Sequence, residues 1–157
     1  MLLNEVCAEI RNYFTYRNDI LIGDYKIEGG VIAPLIDYKG CEYIRIIGSR
    51  KNNGVHKLNE ETGLFDLEDE DTFHGSIWRM SPPKDFLLLV GDIEKWQKKY
   101  GGIESENMSP FQSESFGGYA YSKSSRSTAM SSSSGTPTSW VDAFSSRLKM
   151  YRRIRVQ

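Results

Sequence analysis

The chain has 157 residues, a net charge of −1, 26% charged residues and 12% aromatics. That is the composition of an ordinary folded domain, or a small domain with an appendage, and it excludes a disordered polyelectrolyte. Overall charge calls for neither nucleic acid nor membrane, but the charges are unevenly placed: residues 60–71, EETGLFDLEDED, carry only acidic charges, and residues 147–155, RLKMYRRIR, only basic ones. Such segments are suited to attract each other or to face different partners.

In chain order, LLNEVCAEIRNYF places Leu3, Val6, Cys7, Ile10, Tyr13 and Phe14 at helical spacing and predicts an amphipathic helix over residues 2–15. Tyr25, Ile27 and Val31 flank Glu28, Gly29 and Gly30, which predicts two short strands and a tight turn. CEYIRIIGS alternates as a strand, RKNNG is a turn, VHKL a return strand, the acidic stretch a loop and TFHGSIWRM a last strand stopped by Pro82 and Pro83. Residues 20–81 thus form a small antiparallel β-module. The next helix, at 84–100, carries Phe86, Leu89, Val90, Ile93, Trp96 and Tyr100 on one stripe, lysines in its last turn and Gly101 and Gly102 beyond its end. Residues 122–139 are a flexible serine-rich loop with almost no apolar content. Ser139 is a candidate N-cap for a short C-terminal helix bearing Trp140, Val141, Phe144, Leu148 and Tyr151. The expected fold is α+β: a helical core of these three helices, the β-module inserted, an extended C-terminal segment, all one domain over 1–157.

The chemistry expected is sparse. Cys7 and Cys41 are the only cysteines and His56 and His74 the only histidines, without the short spacing of zinc ligands. A Cys41–histidine nucleophilic pair lacks a local orienting group and oxyanion hole. There is no nucleophile elbow, phosphate loop, dinucleotide fingerprint or calcium loop. The expectation is a non-enzyme without cofactor or metal. Residue Met1 is followed by no signal-peptide pattern, which suggests a reduced, cytoplasmic setting with free thiols, and the longest apolar run, residues 86–90, is too short for a membrane span. The basic tail leaves three readings open: phosphate and base contacts, a protein–protein surface, or a helix end followed by a strand that joins a sheet.

SESFGGYAYS, the polar loop after it and WVDAFSSRLKMYRRI together resemble the C-terminal half of head–tail connector proteins of tailed bacteriophages, also called adaptor or head-completion proteins. The positions that carry the resemblance are Ser113, Glu114, Ser115, Phe116, Gly117, Tyr119, Leu148, Tyr151, Arg152 and Arg153, and it covers about half of the chain when the two longer helices are counted. The inserted β-module departs from the mainly helical connectors. The resemblance implies a structural virion protein at the head–tail junction, assembled in the bacterial cytoplasm. It would form a ring, usually twelvefold, beneath the portal, extend the channel for packaged DNA and dock the next neck or tail protein. Its partner-binding residues would be Ser113, Glu114, Phe116, Gly117, Tyr119 and Tyr121 in the extended segment and Leu148, Tyr151, Arg152, Arg153 and Arg155 in the tail. The alternative is a small nucleic-acid-binding module using that tail.

Overall fold

The computed structural model describes residues 1–101, 113–116, 119–122 and 139–154. The chain divides into two compact units, Met1–Leu87 with Tyr151–Gln157, and Leu88–Met150.

The first unit is built on one five-stranded antiparallel sheet of order β2-β1-β5-β3-β4. Its strands are β1 (Ile20–Glu28), β2 (Val31–Ala33), β3 (Tyr43–Ile47), β4 (Gly54–Lys57) and β5 (Glu70–Met80). The turn between β1 and β2 is made by Gly29 and Gly30 at φ 57° and 76°, a backbone that two-residue hairpins require and that side chains resist. The longest strand, β5, is central and pairs with β1 on one side and β3 on the other. A close approach locks β5 to the end of β3: a Cβ at Gly48 would lie 2.6 Å from the carbonyl oxygen of His74, so only glycine fits.

Strand alternation sends Tyr25, Ile27, Ile44, Ile46, Phe73 and Ile77 to one face. There they form the core with Ile32 and Phe65, covered by Ile36, Tyr38, Leu58 and Leu67 from the connecting loops. Helix α1 (Leu2–Ile10) buries Leu3, Val6, Cys7 and Ile10 and lies against β4.

The expectation of a helical core with a β-insertion is overturned. The sheet is the core of the first unit, and apart from α2 (Lys84–Tyr100) the helices are short. The reason is that β1 and β5 pair along most of their length, residues 20–27 against 70–78, and the sheet as a whole buries Tyr25, Ile27, Ile32, Ile44, Ile46, Phe73 and Ile77 in one cluster, against Leu3, Val6, Cys7 and Ile10 on the single stripe of α1. The first helix also stops at Ile10, not at residue 15. Arg11 takes a left-handed conformation (φ 55°, ψ 35°), and the N–H groups of Arg11 and Asn12 close on the carbonyls of Ala8 and Cys7. The Asn12 side chain then accepts the N–H of Phe14 at 2.9 Å and turns the chain away.

Helix α2 begins after Pro82 and Pro83; the Leu87 N–H donates to the Pro83 carbonyl, and the missing proline N–H groups cost nothing at this end. It buries Phe86, Leu89 and Ile93. In the second unit, Ser139 caps α3 (Trp140–Ala143) by accepting the Asp142 N–H. The expected single C-terminal helix is broken at Phe144 (φ −108°, ψ 11°) and continues as α4 (Ser145–Lys149), which buries Leu148 and pairs Arg147 with Asp92 at 2.9 Å. Strands β6 (Ser113–Phe116) and β7 (Tyr119–Ser122) pair antiparallel. Most of the serine-rich loop, 123–138, lies outside the described residues. No helix among the described residues is long and apolar enough to cross a membrane.

Candidate functional site

The sheet face opposite the core carries a row of side chains set by register. Ile20 of β1 opposes Trp78 of β5, and Trp78 opposes Arg45 of β3. The turn after α1 lays Tyr13 over this row. The Arg45 guanidinium sits 3.7 Å from the Tyr13 ring centroid and 4.6 Å from that of Trp78, and the two rings meet edge to face at 5.9 Å. Two aromatic faces hold the cation by their quadrupoles while its planar fork keeps N–H donors for a carboxylate or phosphate. Trp78 is fixed in turn by donating Nε1–H to Ser76 Oγ at 3.0 Å.

The C-terminal tail completes the site. The Tyr151 ring packs against Phe86 (5.1 Å) and Phe14 (6.2 Å), and Phe14 packs on Phe86 at 4.5 Å. Asn12 donates Nδ2–H to the Tyr151 carbonyl, Arg152 pairs with Glu9 at 3.1 Å, and the Arg153 N–H donates to the carbonyl of Ile10. These contacts bring Arg153 and Ile154 to the row on the sheet. The result is an open cleft of ≈ 1010 Å³ lined by Arg11, Arg45, Arg153, Tyr13, Trp78 and Ile154, among others. Among the described residues none of these three arginines has a carboxylate partner. A cleft with these cations and aromatic walls has the chemistry to hold an anionic group attached to something apolar.

Of the expected partner-binding residues in the tail, Tyr151, Arg152 and Arg153 belong to the first unit and Leu148 to the second. Tyr151 is in the aromatic cluster, Arg152 is in an ion pair, Arg153 lines the cleft and Leu148 is buried. Arg155 lies outside the described residues. In the extended set, Ser113, Glu114 and Phe116 belong to β6 and Tyr119 and Tyr121 to β7, paired Glu114 with Tyr121 and Phe116 with Tyr119; Gly117 lies outside the described residues. Sequence reasoning missed Arg11, Tyr13, Arg45 and Trp78. The visible signal was an arginine at an alternating position inside an apolar strand, YIRII, but its aromatic neighbours come from 30 residues away and more in the chain.

The cysteines and histidines are not brought together. Cys7 is on the buried face of α1, and burial pushes its thiol up to about 12, with the Arg45 charge acting the other way; the thiol stays protonated at neutral pH. Cys41 Sγ lies 4.0 Å from Ser81 Oγ, His56 Nε2 2.7 Å from the carbonyl of Asn52, and His74 Nδ1 2.8 Å from Asp24. Among the described residues no group of three acidic, cysteine or histidine side chains could hold a metal ion.

The acidic segment divides into two parts with different work. Glu70 clamps the loop between β3 and β4. Its carboxylate accepts from the Ser49 hydroxyl, from the Arg50 N–H at 2.8 Å and from Asn52 Nδ2 at 3.2 Å. Burial raises the Glu70 pKa, but these hydrogen bonds together outweigh it and hold the carboxyl below its ordinary value. Because the folded pKa lies below the unfolded one, this stabilisation is complete above the unfolded pKa and is lost as pH falls through the folded one. Glu70→Gln is expected to cost about 1 kcal/mol at pH 7, since the site is partly open to water. The gap between variant and native protein should close in urea titrations repeated down to about pH 3, because the protonated glutamic acid then resembles glutamine.

The other part, residues 59–64, is a tight turn closed by a bridge between Leu58 and Phe65. Asn59 N–H donates to the Leu64 carbonyl at 2.9 Å, and the Asn59 side chain accepts the N–H of Glu61 at 2.9 Å. Glu60 and Glu61 are exposed on it.

The chain matches no family model, no curated protein and no solved structure.

Proposed function

We propose that this chain is a structural subunit of a tailed-bacteriophage virion. It forms a ring beneath the portal, joins the capsid to the tail and extends the channel through which packaged DNA passes. Its partners are other copies of itself, the portal and the next neck or tail protein.

The observation that carries the reading is the two-stranded sheet of β6 and β7. It coincides with SESFGGYAYS, the segment that resembles the connector motif. Among the described residues no third strand pairs with it. A two-stranded hairpin by itself is marginally stable in water, and a strand edge without a neighbouring strand presents N–H and C=O groups that another strand can pair with. Strand addition from a neighbouring copy would satisfy them, which is how an extended segment gains order in an assembly.

Removing residues 113–122 tests this. The sheet of the first unit contains none of them, so the variant should keep its thermal transition. It should fail to join heads to tails in a complementation assay, leaving filled heads and free tails in electron micrographs. Normal particles from the deletion variant would overturn the reading. This is a cleaner experiment than trimming the tail, because Tyr151 and Arg153 are part of the packing of the first unit.

The second reading, a nucleic-acid-binding module, is favoured by one feature: the tail's Arg153 joins Arg11 and Arg45 beside Tyr13 and Trp78, a combination that can hold phosphates and stack bases. It requires DNA affinity that falls steeply with added salt.

A further inference from the structure

We infer that the arginine–aromatic cleft of one copy receives the acidic turn at residues 59–64 of a second copy, in a head-to-tail contact. The inference rests on the multi-copy reading above and supplies an interface for it.

The two surfaces are complementary in charge and in form. The cleft presents the guanidinium groups of Arg11, Arg45 and Arg153, and Glu9, the acidic residue among the described residues that line it and the adjoining hollow, is already paired with Arg152. The turn presents Glu60 and Glu61, which have no cationic partner among the described residues. Leu64, on the same turn, is 38% exposed, and Ile154 at the cleft is 82% exposed. Each surface therefore offers an apolar contact next to its charges. The turn is already shaped by its own hydrogen bonds, Gly63 N–H to the Asn59 carbonyl at 2.8 Å and Asn59 Oδ1 to two backbone N–H groups, so little ordering is needed on binding.

The sheet separates the two surfaces within one copy. Phe65, at the base of the turn, is part of the core on one face, and Arg45 and Trp78 project from the other. A copy's turn therefore does not fold into its own cleft. Opposite surfaces that match each other make a heterologous contact, which propagates from copy to copy and closes into a ring when the rotation allows. A polynucleotide is the less favoured occupant. The chain is net negative, and the cations are gathered in one concavity and not along a stripe that could track a phosphate backbone.

The test pairs two variants of the full chain. Arg11→Glu with Arg153→Glu reverses the cleft, and Glu60→Lys with Glu61→Lys reverses the turn; all four residues are exposed, and circular dichroism would verify the fold. Light scattering at low salt should show each variant weakened in self-association by at least about tenfold relative to the native protein. Mixing the variants should restore association, because the native turn of one fits the native cleft of the other and the two reversed surfaces are again opposite in charge. If the native protein associates and both variants associate equally well, the inference fails while the ring reading stands. If the native protein neither self-associates nor decorates capsid vertices, both fail. If a single-stranded oligonucleotide binds the native protein but not the cleft variant, and association is unchanged, the cleft is a nucleic-acid site and the inference is overturned.

Discussion

Phe86→Ala should destabilise the first unit by about 3–5 kcal/mol, the cost of removing a fully buried aromatic ring and leaving its cavity. Phe86 is 0% exposed and is the ring on which both Phe14 and Tyr151 rest. Phe14 is held by the turn after α1, and Tyr151 is the first residue of the docked tail, so one deletion loosens both ends of the chain. The expected result has two parts. The urea midpoint falls, and limited proteolysis cuts the tail at Arg152 and Arg153 far sooner than in the native protein. Phe86→Leu should recover much of the stability, since a large apolar side chain still fills the site. Tyr151→Ala should release the tail to the same extent with a smaller loss of midpoint, because Tyr151 is only half-buried. A Phe86→Ala protein with an unchanged midpoint and a protected tail would show that the aromatic cluster does not anchor the tail.

Asp19→Ala is expected to cost about 3 kcal/mol, near the lower end for stripping a partner from a buried charge. The Arg79 side chain is 6% exposed and lies 3.0 Å from Asp19. Its guanidinium also donates to the carbonyls of Asp37 at 2.7 Å and Asn18 at 3.1 Å, which is why the loss stays at the lower end. Arg79 thus ties the loop before β3 and the 3₁₀ turn before β1 to the end of the central strand. Arg79→Met should be milder than Asp19→Ala. It removes the buried cation together with its Nε, which has no hydrogen-bond partner among the described residues, and it leaves an apolar chain of similar length. The order of the two urea midpoints is the measurement. If Arg79→Met proved the more damaging, the arginine's carbonyl contacts, and not its charge balance, would be what the fold depends on.

Much of the local structure was legible because its causes are local. Gly29 and Gly30 specify the β1–β2 turn, Asn53 and Gly54 the turn into β4, and the glycine after Tyr100 the end of α2. Ser139 was readable as a cap from its place before an apolar helical pattern. The first helix is shorter than its periodicity predicts because the apolar spacing continues through Tyr13 and Phe14. What ends it is Arg11 in a left-handed conformation, a position where glycine would have been the visible sign. The acidic composition of residues 60–71 points to a loop, yet the stretch contains both a hydrogen-bonded turn and the carboxylate that clamps the β3–β4 loop.

By itself the sequence determined where most of the strands and the longest helix lie, and the charge division between residues 60–71 and the tail. These follow from side-chain periodicity, turn chemistry and composition, all of which act over a few residues. Only the tertiary structure decided that β5 is central and that the sheet, not a helical bundle, forms the core of the first unit. It alone placed Arg11, Tyr13, Arg45, Trp78 and Arg153 around one cleft. Strand order and register are settled by competition among long-range pairings for the same buried area, and no short window of residues contains that competition.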